Sequence, residues 1–264
     1  MSFLLLMALT LAAESANETA TPAGGAAAYR PSDAIYPVRW LLEARLELDG
    51  RADDAAWKRA AVERRFIFPW KQRPAPATEF RALCTRDFFY FLFRVHDEDI
   101  VVLDQLRDEE DAVFEDRAEI YFGRDERMQD YYCLEIDSRG RVFDYRGSFY
   151  RQLDPAWNWP GIEAKASPLE KGYLVEGRLP RASFPALGFP ILQPGAKLRW
   201  GLFRAEFSQD RSGRPVEQRD SIHNRGRRLD GPPPLEAWMS WVDPQTAEPD
   251  FHVPSSLGWL EIVP

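Results

Sequence analysis

The chain is poor in cysteine and histidine, with two and three of them among 264 residues. Its two cysteines, Cys84 and Cys133, cannot form the disulfide framework of a small secreted scaffold. No Cys/His spacing typical of a zinc site, no G-x-S-x-G motif and no Gly-rich phosphate loop is present. The net charge of −8 argues against nucleic acid as a partner, because phosphate binding requires a basic face. These gaps disfavour zinc-dependent, nucleophilic and nucleotide-binding chemistry.

Long hydrophobic runs are also missing, so the sequence predicts no transmembrane span. The apolar run at residues 3–13 is too short to cross a bilayer and is typical of a secretory signal, the alternative being a frayed apolar tail. We therefore expect residues 1–16 to be a signal peptide and the protein to be secreted or periplasmic. Residues 17–33, rich in Ala, Thr, Gly and Pro, are typical of a flexible linker. Residues 34–264 are expected to form a single, monomeric domain.

Aromatic residues and short β-type runs are abundant: the chain has 17 Phe, 9 Tyr and 9 Trp. Residues 78–84 and 88–96 flank a hairpin-sized connection, and the second run is apolar on both faces, which predicts a central strand. Few segments show helical periodicity. The patterns predict an all-β, antiparallel β-sandwich of the jelly-roll or immunoglobulin-like kind. Short helical turns are expected at 55–60 and 182–187.

An acidic stretch between residues 97 and 116 suggests a cation site. Calcium takes six to eight oxygen ligands, and clustered carboxylates next to a strand end can supply them. Asp97, Asp99 and Asp116 are the candidate ligands. The alternative is a solvated acidic loop, and no cofactor other than calcium is expected.

Glu119 lies in a predicted strand among apolar residues, which is costly for an isolated carboxylate. Such a side chain either pairs with an arginine on a neighbouring strand or faces a ligand. Glu135 falls on one predicted neighbouring strand and Arg94 on another. Both alternatives stay open at this point.

Several tryptophans lie outside the periodic patterns and are candidates for sugar stacking. Trp70 occurs in FPWKQRP, and Trp157 and Trp159 occur in DPAWNWPG. Sugar rings present apolar C–H faces that lie flat on aromatic rings, while their hydroxyls need polar partners at the rim. For any single aromatic, a place in the core is the alternative.

A series of short motifs runs along about 200 residues in a fixed order. It begins with Leu48-Asp49-Gly50 and Ala56-Trp57, and continues through Phe114-Glu115-Asp116, Glu119-Ile120 and Gly172-Tyr173-Leu174-Val175-Glu176. It ends with Phe251-His252-Val253-Pro254 and Leu257-Gly258. This order and spacing resembles a family 9 carbohydrate-binding module, which implies a DOMON-like β-sandwich that binds sugar without catalysis.

The resemblance also implies a site. In the family, two aromatic side chains clamp a terminal sugar, and the matching positions here are Phe114 and Phe251. The acidic hydrogen-bonding residue of the family matches Glu119. A polar pair on the next strand, Gln and Arg in the best-known members, falls on Cys133 and Glu135. Replacing a cation by an anion changes which ligand such a site can hold.

The resulting interpretation is a secreted, non-catalytic protein that binds a plant-type polysaccharide or oligosaccharide and supports glycan degradation by a partner protein. One alternative is a haem-binding DOMON-type redox domain, although Met128 and Met239, its only candidate methionine ligands, lie in no convincing partnered motif. Another is an accessory domain of an uncharacterised glycoside hydrolase.

Overall fold

The computed structural model describes residues 30–31, 33–207 and 238–264. The expected signal peptide lies outside this part of the chain, as do nearly all of the expected linker and the polar segment 208–237. None of the helices in the described residues is long and apolar enough to cross a membrane.

The described residues are mostly β-strand, as the sequence predicts. In chain order the strands are β1 (Ile35–Trp40), β2 (Thr78–Cys84), β3 (Phe88–Val95), β4 (Arg117–Gly123), β5 (Tyr131–Asp137), β6 (Val142–Ser148), β7 (Gln152–Asp154), β8 (Glu163–Leu169), β9 (Gly172–Pro180), β10 (Lys197–Ala205), β11 (Met239–Ser240) and β12 (Gly258–Val263). The helical elements described are one α-helical turn, α1 (Ser183–Ala186), and 3₁₀ turns at Ala55–Arg59, Glu109–Phe114 and Pro254–Ser256. The two helical turns predicted from the sequence are confirmed.

The strands form one curled sheet in the order β7-β6-β5-β4-β10-β12-β1-β2-β3-β9-β8, with β11 paired to β10. Neighbours are antiparallel except β1, which pairs in parallel with both β12 and β2. We call β7, β6, β5, β4 and β10 the first half, and β2, β3, β9 and β8 the second half. The halves face each other, because aromatic rings of the two halves are in contact. The centroid of the Phe89 ring on β3 lies 6.0 Å from that of Phe122 on β4 and 6.4 Å from that of Trp200 on β10. The predicted antiparallel β-sandwich is therefore confirmed, with β1 as a parallel exception.

Strand alternation decides which residues fill the sandwich core. On β3, Phe89, Phe91 and Phe93 point into the core, whereas Tyr90 and Leu92 point to the outer side of the second half. Both sets are buried, because the segment that contains Leu41, Leu46 and Trp57 packs over the outer side. This two-sided burial is why β3 is apolar on both faces.

The first half is also covered on both sides. Every residue of β4 and β5 is buried. Ala118, Ile120 and Phe122 of β4 point into the sandwich core, so Arg117, Glu119 and Tyr121 point to the outer face. The outer face of the first half therefore combines charged and aromatic side chains out of contact with water.

Candidate functional site

A second apolar cluster lies on the outer face of the first half. Tyr121 of β4, Cys133 of β5, Tyr145 of β6 and Phe203 of β10 meet there because each points away from the sandwich core. We call this group the outer aromatic cluster. Its buried members are Ala112, Val113, Tyr121, Met128, Tyr131, Cys133, Phe143, Tyr145, Phe203, Phe251 and Leu257, and Trp70, Phe114 and Trp238 pack against it while staying partly exposed.

A buried charge network adjoins this cluster. Glu119 and Glu135 are directly opposite each other in the β4–β5 register. The Nε atom of Arg117 lies 3.0 Å from Glu119 Oε1 and 2.7 Å from Glu135 Oε2, so one guanidinium neutralises part of two carboxylates. The Tyr145 hydroxyl donates to Glu135 Oε1 at 2.8 Å and lies 3.2 Å from the Tyr121 hydroxyl. Glu119 thus contacts an arginine, but this arginine lies on its own strand and not on a neighbouring strand as the sequence alternative had it.

Burial dominates the electrostatics of this network. It raises the pKa of Glu119, whereas the Arg117 guanidinium lowers it and the facing Glu135 raises it, and together these effects bring it to about 8. The raised pKa favours the protonated form of Glu119. In that form its carboxyl group can donate one hydrogen bond as well as accept one, which suits a partner that carries hydroxyl groups.

Phe251 lies at the centre of the outer aromatic cluster. Its ring stacks on Phe203 at 4.3 Å between centroids, with Trp70 at 5.4 Å and Trp238 at 5.3 Å. Phe251 is only 2% exposed. The resemblance implied that this ring would contact a sugar directly, but the aromatic surface that remains open beside it belongs to Trp70 and Trp238.

Phe114 and Trp70 reach the same cluster from two loops. Phe114 ends the 3₁₀ turn that precedes β4, and it packs against the cluster while staying half-buried. The indole N–H of Trp70 donates to the Thr246 carbonyl at 2.9 Å, which fixes the orientation of its ring. The structure thus brings together five of the residues singled out from the sequence: Phe114, Glu119, Glu135, Trp70 and Phe251.

Sequence reasoning missed a second polar group at this cluster. The Arg151 Nη2 atom donates to Asp250 Oδ1 at 2.7 Å, and the Tyr150 hydroxyl donates to Asp250 Oδ2 at 2.7 Å. The Arg151 side chain is 7% exposed, and its Nε and Nη1 atoms have no hydrogen-bond partner in the part of the chain that the structure describes. His252 connects this group to the cluster, because its backbone N–H donates to Asp250 and its Nδ1 lies 2.9 Å from the Tyr131 hydroxyl.

Arg94 does not belong to this site. It lies opposite Glu79 on β2 and Leu174 on β9, so it sits in the second half of the sheet. Its position alternates with the core residues Phe93 and Val95, which directs it to the outer face of that half. The sandwich core therefore separates Arg94 from Glu119, and Arg117 is the cation that Glu119 contacts.

Trp157 and Trp159 also lie elsewhere. Trp159 is 1% exposed, donates its indole N–H to Ser183 Oγ at 2.7 Å and packs within the sandwich core. Its ring is thus not available to a sugar, and the expectation of an exposed ring is wrong. Trp157 stays partly exposed beside Tyr132, at 4.7 Å between ring centroids, on the core side of the sheet.

The three acidic residues predicted to bind calcium do not all lie in one group either. Asp116 is buried, and its two carboxylate oxygens accept the backbone N–H groups of Val101 and Phe207. Asp97 and Asp99 instead lie near Glu206, with ligand atoms within 4.8 Å of one another. Arg204 contacts Glu206 and approaches Asp97 Oδ2 at 3.6 Å. Asp116 therefore has a structural role, and Glu206 takes its place in the acidic group.

Some of the residues that sequence reasoning missed could have been found from a local sequence pattern, and others could not. Arg117 is two positions before Glu119 on one strand, so period-2 alternation alone places both on one face. Arg151 reaches the cluster from a segment distant in sequence, and no local pattern indicates this. Trp238, a further tryptophan that the sequence makes a candidate for sugar stacking, packs against the cluster. Met128 packs in the outer aromatic cluster whereas Met239 packs against Phe68, so the two methionines of the haem alternative do not share a site.

Solved structures similar to this one support the fold. A candidate carbohydrate-binding protein from Bacteroides uniformis ATCC 8492 superposes with a TM-score of 0.59 at 14% identity, covering 86% of this chain and 98% of that one. A family 9 carbohydrate-binding module from Caldicellulosiruptor kristjanssonii in complex with cellotriose gives a TM-score of 0.50 at 16% identity, covering 87% of this chain and 94% of that one. At these identities the likeness shows a shared fold only.

Comparison of the sequence with protein families goes further. None of the curated proteins matches the chain with significance. The model of the carbohydrate family 9 binding domain-like family matches residues 48–218, which is more than half of the chain. The chain therefore belongs to the carbohydrate family 9 binding domain-like family, a family of non-catalytic binding domains.

Proposed function

We propose that the protein binds a neutral plant-type oligosaccharide or polysaccharide end on the outer aromatic cluster. One observation carries the proposal: partly exposed Trp70, Trp238 and Phe114 pack against the outer aromatic cluster, and Tyr145 of this cluster bonds to the buried network of Arg117, Glu119 and Glu135, in a chain of this family. Aromatic rings would stack on the C–H faces of the sugar, and the network would exchange hydrogen bonds with its hydroxyls.

The charges of the network argue for a neutral sugar. With both carboxylates ionised the three side chains sum to −1, and with Glu119 protonated they sum to zero. Neither state offers a surplus cation for an acidic sugar. Arg151 adds two buried nitrogen atoms, Nε and Nη1, that have no hydrogen-bond partner among the described residues and that suit ring and hydroxyl oxygens. Cellotriose, the ligand of the Caldicellulosiruptor module, is a suitable first probe.

The wider role follows from this binding activity. We infer that the protein is secreted or periplasmic and works as a monomer, holding a glycan for an enzyme supplied by another protein. The supporting observation is the apolar run at residues 3–13 ahead of a binding domain. The mass of the mature protein recovered outside the cytoplasm checks this, because cleavage near residue 16 is expected.

A calcium role is proposed for the acidic group of Asp97, Asp99 and Glu206. Asp97 is 3% exposed, and its Oδ2 atom accepts no hydrogen bond from the described residues, so a bound cation would replace only its contact with Arg204 at 3.6 Å. Burial raises the pKa of Glu206 to about 7. A bound cation would lower that pKa and oppose the charge repulsion within the group. These residues would hold calcium as a structural ion.

Replacing the partly exposed rings should weaken sugar binding. Trp70→Ala, Trp238→Ala and Phe114→Ala each remove stacking area, and a loss of about 1 kcal/mol per ring corresponds to roughly fivefold in affinity. We expect a dissociation constant for cellotriose between about 10 µM and 1 mM, measured by isothermal titration calorimetry. Phe251→Ala is a poor test, because this ring is buried and its removal costs about 3–5 kcal/mol of stability.

Trp157→Ala is the matched control, since Trp157 is a partly exposed tryptophan on the opposite side of the same half. It should leave the affinity for cellotriose unchanged. If Trp157→Ala abolished binding while the other three variants bound normally, the sugar site would lie on the loop of Trp157 and the proposal would be wrong.

The buried network predicts a pH-dependent stability. The pKa of Glu119 is about 8 in the folded protein and near its usual value of about 4.3 when unfolded. The folded state thus binds more protons, and Glu119 lowers the free energy of unfolding progressively as pH rises from about 4 to 8. Glu119→Gln lacks this titration. Its free energy of unfolding relative to the natural chain should rise with pH across that window, by at most about 1.4 kcal/mol per unit.

Urea denaturation at several pH values measures this difference. Because other buried carboxyl groups also titrate, only the difference between the two proteins is informative. Glu163→Gln, which changes a glutamate paired with Arg178 on the surface, is the control and should give a nearly flat difference. A difference for Glu119→Gln that is equally flat would show that Glu119 stays ionised.

Calcium should raise the unfolding temperature. A filled structural site stabilises the folded state by a free energy that grows with the logarithm of the calcium concentration divided by the dissociation constant. At millimolar calcium we expect the unfolding temperature to rise by several degrees. Thermal unfolding in calcium and in chelator provides the measurement. Asp99→Asn should remove most of the shift, and coincident curves for the natural chain would contradict the calcium proposal.

A further inference from the structure

A basic cavity lies on the other half of the sandwich, away from the outer aromatic cluster. Its volume is about 310 Å³, and it is lined by the start of β2, the end of β3 and the β8–β9 turn. The charged and titratable side chains around it are Arg64, Glu79, Arg94, His96 and Lys171. In a chain of net charge −8, a cavity with three such cations and one carboxylate is unusual.

The local fold makes this cavity. The β8–β9 turn comes close to the end of β3 at Gly172, where a Cβ atom would lie 1.9 Å from the Val95 carbonyl oxygen. Gly172 also has a φ of +111°, which an L side chain rarely adopts. Only glycine fits here, and it brings Leu169 and Lys171 to the edge of the cavity formed by Arg94 and His96.

One cation in the cavity, Arg94, has no partner among the described residues. Arg94 lies directly opposite Glu79 in the β2–β3 register, an arrangement that normally gives a cross-strand ion pair. Both oxygens of Glu79 are already engaged: Oε2 by Arg64 at 2.6 Å and Oε1 by Arg81 at 2.6 Å. Arg94 makes no hydrogen bond or ion pair within the described part of the chain, and it is half-buried.

The remaining charges decide what kind of anion fits. Lys171 is paired with Glu98 at 2.9 Å, and Arg64 is paired with Glu79. Arg64 shares the single charge of Glu79 with Arg81, which leaves Arg94 as the lining arginine that contacts no carboxylate of the described residues. A single carboxylate needs only Arg94, whose planar guanidinium matches it with two parallel hydrogen bonds.

The other walls suit a sugar ring. Ala77 and Leu169 supply apolar surface, while the His96 imidazole and the Glu79 carboxylate offer groups that can bond to hydroxyls. The volume is at the lower end of the range for small-ligand pockets, which fits one monosaccharide unit. We propose that this cavity binds an acidic sugar unit, a uronic acid, with its carboxylate on Arg94.

The choice of a sugar rests on membership of the family, and it does not require the site on the outer aromatic cluster to bind. The two sites would recognise opposite chemistry: neutral sugars on the first half and a charged sugar on the second half. A failure at one of them leaves the other testable.

The test is a titration of ¹⁵N-labelled protein followed by NMR, with four probes. Methyl β-D-glucuronide should shift the amide signals of residues 77–79, 94–96 and 169–171, with a dissociation constant on the order of 1 mM. Methyl β-D-glucoside, which has a hydroxymethyl group in place of the carboxylate, should not shift them. Acetate tests the carboxylate alone and should bind at least about tenfold more weakly. Inorganic phosphate should also bind more weakly than the glucuronide.

Arg94→Gln should weaken glucuronide binding by about tenfold or more, because it removes a charge-assisted bidentate contact. Arg94→Lys keeps the charge but loses the planar bidentate geometry. Its affinity for the glucuronide should therefore lie between those of the natural chain and of Arg94→Gln. Arg59→Gln, a change at an exposed arginine outside the cavity, is the control and should bind as the natural chain does. The inference fails if Arg94→Gln binds like the control, if the glucoside binds equally well, or if acetate or phosphate binds as tightly as the glucuronide.

Discussion

Both faces of β4 and β5 are buried, and this constraint shapes the rest of the protein. Their inner residues fill the sandwich core, so their outer residues must either be apolar or find polar partners without water. Glu119 and Glu135 face each other across the two strands, where like charges would repel. Arg117 makes the arrangement possible by lying between them, and the Tyr145 hydroxyl satisfies a remaining oxygen of Glu135.

The fold could be predicted well because its signals are local. The period-2 alternation of β3 and the tight connection after Cys84 each depend on fewer than ten residues, and both appear as the patterns indicate. The order of the strands in the sheet, in contrast, is not indicated by local signals. β3 and β4 are consecutive strands in the chain but belong to opposite halves, so reading Arg94 as a neighbour of Glu119 was wrong although both strands were placed correctly.

The candidate site was harder to predict because side chains meet there through distant segments. Trp159 lies in a Pro/Gly-rich loop that suggests exposure, yet the Asp144 carboxylate accepts its backbone N–H and Ser183 accepts its indole N–H. These two bonds draw the ring into the core. Asp116 belongs to an acidic run in sequence, but backbone N–H groups of residues 101 and 207 occupy its oxygens. In each case a hydrogen bond across the fold overrides the local pattern.

Glu135 departs from the family pattern, which has an arginine at this position, and the structure gives that departure a physical meaning. The cation is not lost from the region but moves to β4, where Arg117 contacts both carboxylates. Burial and the facing Glu135 raise the pKa of Glu119, which favours the uptake of a proton beside a single guanidinium. Arg117, Glu135 and protonated Glu119 together carry no net charge. A buried site of that kind can hold a ligand rich in hydroxyls without burying an unpaired charge, which an acidic ligand would require.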